Sequence, residues 1–317
     1  MIIRKSLSFF LCIMVILGFA GCTNKEKIID MGKNQTISFT DARGNKVNLS
    51  SSPKRVVSLY GSFAETWLLA GGELVGVTDD VVKERKMQLK NNVKVVGNVM
   101  EPNIEEVIAL EPDLVILSSD IDTDIKVSEI LKKAGIKYAF FKEDVFGDYL
   151  NILKNCTEIT GRRDLYQKNG LAVKSKIDKV ISKVNPANKK PSVLFIRAFS
   201  TGAKAKGDDN ITGAMLKDLG ADNIASRHSS LLEDLSMEEI IKEDPEYIFI
   251  TTMGDSEKAL EQLKTTVKSN PAWNKLKAVK NNRYIILPKE MFHYKPNALW
   301  GDAYEYLAKI LYPETFR

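Results

Sequence analysis

Apolar and polar positions along the chain follow two alternating rhythms: short unbroken apolar runs, and longer stretches with apolar residues three or four apart. The run RVVSL at residues 55–59 leads through Tyr60, Gly61 and Ser62 into the periodic FAETWLLAGG. That succession predicts a strand, a turn and a helix. SVLFI at residues 192–196 leads through a polar loop into TGAMLKDLGADNI, the same order in the second half. Strands alternating with helices predict an α/β fold with mainly parallel central sheets.

One unit occurs twice. PNIEEVIALEPDLVILSS (residues 102–119) and LSMEEIIKEDPEYIFITT (residues 235–252) overlay without a gap. In the first copy Ile104, Val107, Ile108 and Leu110 fall on helical spacing, and Pro112 stops the helix. Residues 114–117 then form a continuous apolar run, suited to a strand buried on both faces. The second copy repeats this with Met237, Ile240, Ile241 and Pro245, followed by the apolar residues 247–250. The duplication predicts two similar lobes with a ligand cleft between them.

Residues 149–184 contain no strand-like run. Leu171, Val173, Ile177, Val180, Ile181 and Val184 predict one long helix, interrupted at most near Gly170 and ending before Asn185 and Pro186. Either this helix joins the lobes or it belongs wholly to one of them. A hairpin, TISFTDARGNKVNL, with its turn around Arg43, Gly44 and Asn45, precedes the first lobe. The expected division is 1–21 signal peptide, 22–35 flexible tether, 36–148 N-terminal lobe, 149–186 helical linker and 187–317 C-terminal lobe.

The first residues change the picture of where the chain works. Arg4 and Lys5 precede a mostly apolar run at residues 7–20. About twenty residues are needed to cross a bilayer, so this run fits a signal segment better than a membrane span. It ends in LGFAGC at Cys22, which resembles a bacterial lipoprotein signal. The resemblance implies acylation of Cys22 and anchorage on the outer face of the cell membrane; the alternative is an ordinary secretory signal. The polar TNKEKIIDMGKNQ that follows suits a tether. With Cys12 and Cys22 in this leader, Cys156 is alone in the body and reads as a small core residue without a disulfide partner.

The chain has 317 residues, 44% hydrophobic and 27% charged, with net charge +5. That is enough for two cored domains. Lys and Glu are interleaved, which favours a solvated surface over a nucleic-acid patch.

PKRVVSL (53–59), EPNIEEVIALEPDLVIL (101–117), NPAWNKLKAVKNNRYIILP (270–288) and LYPE (311–314) together resemble a known family. They are similar to the solute-binding lipoproteins of ABC importers for iron-siderophores, haem and cobalamin, whose two lobes are joined by one rigid helix. The resemblance implies a binding protein rather than an enzyme, acting as a monomer that delivers a small iron complex to a permease dimer. In relatives one glutamate on each lobe tip docks into arginine-lined permease pockets; by position in the repeat these are Glu105 and Glu238. The competing reading places both on solvated helix faces, where a glutamate near a helix start is favoured by the dipole.

Ligands of open α/β sheets bind outside the carboxyl ends of the strands. Tyr60 and Ser62, with Phe63, follow the first strand of the first lobe; Tyr60 could stack on a ligand, coordinate iron through its phenolate, or cover the core. Met100 lies before Glu101 and Pro102. A related haem-binding group has an axial methionine in that setting, but its partner histidine falls at or near Met253 here, so Met100 also reads as apolar lining. Arg197, Lys204 and Lys206 at the end of a strand suggest an anionic ligand, with the planar Arg197 suited to carboxylate or catecholate oxygens. His293, Tyr294 and Trp300 lie in a loop that in relatives enters the cleft; Trp300 could equally pack the last helix onto its lobe. His228 reads as part of an exposed polar loop.

These candidates order the ligands as ferric siderophore, then haem, then cobalamin, with any metal held by the ligand and no intrinsic cofactor. The rival class is a surface-anchored chelatase or hydrolase. Neither a Gly-x-Ser-x-Gly elbow nor His-Glu-x-x-His occurs, and two histidines cannot supply a multi-histidine site. Asp120, Asp122 and Asp124 begin like a calcium loop, but Ile125 and Leu131 stand where its glycine and glutamate are needed.

Overall fold

The computed structural model describes residues 36–184 and 190–316. The expected signal segment and tether, with Cys22, lie outside the described residues, as does the expected linker end at 186.

Strands β1 (Ile37–Thr40) and β2 (Lys46–Leu49) form the antiparallel hairpin. Its turn is held by Asp41, whose Oδ1 accepts from the backbone N–H of Arg43 (2.9 Å) and Asn45 (2.8 Å).

The first lobe is built on β3 (Val56–Ser58), β4 (Leu74–Val77), β5 (Lys94–Val95), β6 (Leu114–Ser118) and β7 (Tyr138–Phe141). They lie side by side in the order β5-β4-β3-β6-β7, all parallel. The second lobe uses β8 (Ser192–Phe199), β9 (Gly202–Ala205), β10 (Asp222–Asn223), β11 (Tyr247–Thr252) and β12 (Tyr284–Ile286). Its order is β10-β8-β11-β12, parallel, with β9 antiparallel on β8. In each sheet the chain runs outward on one side of its first strand and then returns to the other side. The reversal falls between β3 and β6 and between β8 and β11, and leaves a crevice at the carboxyl ends of both pairs.

The repeated unit folds alike in both lobes. Helix Ile104–Ala109 is capped by Asn103, whose side chain accepts from Glu106 N–H; helix Met237–Glu243 is capped by Ser236, which accepts from Glu239 N–H. Glu111 (φ 44°) and Asp244 (φ 42°) turn the chain out of each helix just before the proline. Asp113 N–H then donates to Arg55 O (2.8 Å) and Glu246 N–H to Ser192 O (2.9 Å), which sets the register of β6 on β3 and of β11 on β8. Every residue of β6 and β11 is buried, as an internal parallel strand requires. The helices differ from expectation at one position each. Val107 and Ile240 are fully buried, but Ile108 and Ile241 are 37% and 43% exposed and do not face the core. A helix this short buries one narrow stripe, and the neighbouring apolar position is left outside.

Between the sheets in sequence, Phe146–Thr160 is followed by a continuous helix made of Arg163–Tyr166, a π turn at Gln167–Leu171 and Ala172–Lys183. The first of these runs across the expected boundary at 148/149. The π turn coincides with Gly170, which lies against Leu150, Leu153 and Tyr166. The long helix packs on the C-terminal helix Trp300–Leu311, where Lys176 reaches Asp302 (2.7 Å) and Glu305 (2.9 Å).

Each sheet alternates its apolar residues between two layers. Val57, Val115 and Leu117 face an outer core of the first lobe, and Leu194, Ile196, Ile248 and Ile250 face one of the second. Val56, Leu114, Phe195 and Phe249 instead enter one core shared by both lobes with Ile177, Val180, Trp300 and Tyr304. The lobes are therefore joined by buried apolar surface as well as by chain. Cys156 is buried in this shared core.

Candidate functional site

The carboxyl ends of the two sheets enclose a cleft of about 810 Å³. Every long parallel strand feeds it. From the first lobe come Tyr60 and Ser62 after β3, Asp79 to Arg85 after β4, Met100 after β5, Ser118 and Asp120 at the end of β6, and Asp144 after β7. From the second come Arg197 on β8, Met253 after β11, and His293, Tyr294 and Lys295 after β12.

Six of the residues singled out from sequence meet here: Tyr60, Ser62, Met100, Arg197, His293 and Tyr294. Two do not. Lys204 is exposed on β9, opposite Arg197 in register but outside the cleft lining, where solvation of its ammonium is unopposed. Trp300 is fully buried in the shared core, and its Nε1–H donates to Glu143 Oε1 at 3.0 Å. It packs the last helix and presents no face to a ligand. Lys206 likewise stands outside the lining, while Met253 is inside it.

The charge of the cleft also departs from expectation. Five carboxylates (Asp79, Asp80, Glu84, Asp120 and Asp144) line it against four cations, Lys83, Arg85, Arg197 and Lys295. Most of the cations are already answered. Lys83 pairs with Asp79 (2.6 Å), and Lys295 approaches Asp144 (3.9 Å) and Asp120 (4.0 Å) and donates to Glu143 O. Arg85 pairs with Glu65 and donates to Ser62 Oγ (3.0 Å) and Lys295 O (3.2 Å). Among the described residues Arg197 alone of the four has no carboxylate within ion-pair distance, and its buried Nε has no hydrogen-bond acceptor. Burial holds its pKa below the usual guanidinium value. Asp209 acts on it only from beyond ion-pair distance, and a partly desolvated cation without a direct partner favours a ligand that supplies one.

Two groups beside Arg197 in the cleft, His293 and Tyr60, are neutral. Burial, assisted by Arg197 and Lys289, pushes the His293 imidazole down to about 4, and its Nδ1 is buried without a partner. Burial, with Asp80 adding to it, pushes the Tyr60 phenol up to about 12. Tyr60 therefore enters the cleft as a neutral hydroxyl on an aromatic face, edge-on to Phe63. Burial and Glu84 likewise raise Tyr294, whose hydroxyl donates to Glu84 Oε2 across the lobes. Met100 and Met253, 64% and 46% exposed, form apolar parts of the rim.

The loop that starts α-helically at Gly61 is fixed from below. Gly61 N–H donates to Asp80 Oδ2 at 2.7 Å, and a Cβ on Gly61 would meet that same oxygen at 2.7 Å. Only glycine lets the two segments approach so closely.

Arg85 and Lys295 were not singled out from sequence. Arg85 sits in the string KERK and reads there as part of a solvated charge run. Applying the strand-end rule to β4 as well as β3 would have pointed to Asp79 and Asp80, and hence to the segment that carries Arg85. Asp124 does not form a calcium loop: it is buried, and its Oδ2 accepts from Ser118 N–H at 2.6 Å. His228 is half-buried rather than in an exposed loop, with Nε2 2.9 Å from Glu243 and Nδ1 3.5 Å from Glu239. Arg227 and Lys242 bind the same two carboxylates, so this cluster is an ion-pair network with its charges already matched. Glu105 and Glu238 are exposed and have no ion-pair partner among the described residues.

The sequence profile described as periplasmic binding protein matches residues 56–291 of this chain, which spans the sheets of both lobes and most of the cleft lining. The chain is 27% identical over 310 residues to the uncharacterised ABC transporter substrate-binding lipoprotein YvrC of Bacillus subtilis, covering 94% of each. It is 26% identical to the iron(3+)-hydroxamate-binding protein FhuD of the same organism, covering 95% of this chain and 96% of that one. Its fold is similar to that of Staphylococcus aureus IsdE solved with haem, with a TM-score of 0.69 at 22% identity over 81% of this chain and 98% of the other. No helix among the described residues is long and apolar enough to cross a membrane. The resemblance read from the motifs is thus borne out by a match over most of the chain, and the protein belongs to the periplasmic binding protein family, whose members bind solutes rather than transform them.

Proposed function

We propose that this chain is the substrate-binding component of an ABC importer and that its cleft holds a ferric siderophore. The observation that carries the reading is Arg197: a half-buried guanidinium with no carboxylate at ion-pair distance among the described residues and a buried Nε without an acceptor, beside a histidine and a phenol that burial keeps neutral, in a cleft of about 810 Å³. A chelate supplies what is missing there. Its oxygen-rich edge accepts from the Arg197 fork, and its organic shell lies on Tyr60, Met100 and Met253. The carboxylates elsewhere in the cleft favour a complex of small net charge over a highly anionic one. The metal stays within the chelate.

The names of the relatives support this class: FhuD binds an iron(3+)-hydroxamate, and IsdE was solved with haem. Haem is the second reading, favoured by the exposed thioethers of Met100 and Met253 on the rim. Delivery would follow capture: a lipid on Cys22 would hold the chain at the outer face of the membrane as a monomer, and Glu105 and Glu238 would dock on the two permease subunits. Native mass spectrometry of the chain recovered from its own cells tests the ligand. A co-purifying mass that contains iron and a siderophore is expected; a haem or cobalamin mass would replace it.

A further inference from the structure

Beside the cleft lies a second space of about 520 Å³, bounded by both lobes and reaching Met87 and Leu299. Four residues, Lys83, Glu84, Arg85 and Tyr294, line both spaces and so form the wall between them. Lys83 and Arg85 pair with carboxylates of their own lobe, Asp79 and Glu65. Glu84 and Tyr294 come from opposite lobes and bind each other, the Tyr294 hydroxyl donating to Glu84 Oε2. Lys289 Nζ stands 3.3 Å from the same oxygen and donates to Gly254 O at 2.8 Å, which anchors the contact on the loop after β11. The ring of Tyr294 has Lys289 at 5.3 Å and Arg85 at 5.9 Å from its centroid, so cations hold the ring as well as its hydroxyl partner. This crossing is not needed to join the lobes: the shared core does that, and a part-exposed ion pair adds little stability. Its consequence is the division of one interlobe space into two.

We propose that Glu84 and Tyr294 are specificity-determining residues, a bar that confines the ligand to the cleft and selects compact chelates over those carrying a long arm on that side. This rests on the siderophore reading of the cleft. With the bar closed the ligand space is about 810 Å³, inside the range of roughly 300–1,000 Å³ usual for small-molecule pockets; the side space would take it beyond that range. An arm entering the side space displaces the Tyr294 hydroxyl from Glu84 and forfeits a hydrogen bond to a charged group. Once the bar is gone, Met87 and Leu299 give the side space an apolar patch, so an aliphatic arm is the chemistry it would accept.

The test is titration calorimetry of the purified chain with two probes, a ferric trihydroxamate and the same chelate carrying an octyl arm. The unaltered chain should bind the bare chelate about tenfold more tightly, the order of one hydrogen bond to a charged group. Glu84→Ala and Tyr294→Phe should each bring the two affinities to within about twofold of one another. The double variant should go no further, because both single changes remove the same bond. Tyr294→Phe keeps the ring, so it reads the bond without opening a cavity. The ratio of the two affinities is what is read, so any change in affinity for the chelate itself cancels. An arm that costs nothing in the unaltered chain, or that still costs about tenfold in every variant, overturns the inference and leaves the siderophore reading standing. If the unaltered chain binds neither chelate, the siderophore reading falls and the role of the bar falls with it.

Discussion

Tyr60 and Arg197 occupy the same position of the duplicated fold. Val56 pairs with Leu114 on β6 and Val193 with Tyr247 on β11, and Tyr60 and Arg197 each follow four residues later. Both line the cleft, one from each lobe. Duplication placed two side chains symmetrically about the ligand space, and divergence made one a neutral aromatic and the other a cation.

Arg197→Gln should therefore separate binding from folding. The guanidinium is partly desolvated and makes no ion pair in the free protein, so its removal should leave stability nearly unchanged. Loss of a charge-assisted hydrogen bond of about 1.5–3 kcal/mol should weaken ferric siderophore binding at least tenfold. Urea unfolding and ligand titration on the same preparation check both halves. Unchanged affinity would remove Arg197 from the site.

Glu143 gives the pH dependence. It is fully buried beneath the cleft, and burial, opposed in part by Lys295, raises its carboxyl to about 7 from an ordinary 4.5. Between those values the folded state binds more protons than the unfolded one, so this contribution is fully present below pH 4.5 and is lost as pH rises through 7. Glu143→Gln keeps the acceptor for Trp300 and has no proton to lose. Its stability relative to the parent should rise by about 3 kcal/mol between pH 4.5 and pH 8. Unfolding in urea across that range measures the difference; a flat one would place Glu143 ionised in the folded state.

Asn297 predicts how little the lobes move. It is fully buried with φ of 53°, donates to Ser62 O (3.0 Å) and Glu65 (2.9 Å), and accepts from Thr66 Oγ1 (3.0 Å). These bonds tie the second lobe's last loop to the first lobe, above a core that both sheets share. Asn297→Ala should cost about 3 kcal/mol by leaving those groups unpaired. In the unaltered chain, X-ray scattering curves with and without ligand should nearly coincide; a clear contraction would mean that these contacts break and re-form.

The duplicated unit made the architecture legible, because a helix, a proline and a buried run recur in one order and each leaves a strong periodic signal. Strand ends then located Tyr60, Met100, Arg197 and His293. What the sequence did not carry was pairing. Nothing in KERK distinguishes Arg85, which is tied to Glu65, from its solvated neighbours, and nothing in RAFSTGAKAK shows that Arg197 points into the cleft while Lys204 does not. Trp300 went wrong for a related reason: its partner Glu143 is 157 positions away, so the acceptor that lets the indole be buried is invisible locally. Ile108 and Ile241 matched the helical period and yet stayed outside, because a short helix has room for only one buried stripe.

Titration calorimetry of the purified chain against a ferric trihydroxamate, a ferric tricatecholate, haem and cobalamin confronts the ferric-siderophore reading with its rivals in one measurement. A single site of micromolar affinity or tighter is expected for a ferric siderophore, with the complex of smaller net charge bound more strongly. Tight binding of cobalamin or haem alone, or no heat from any of the four, would contradict it.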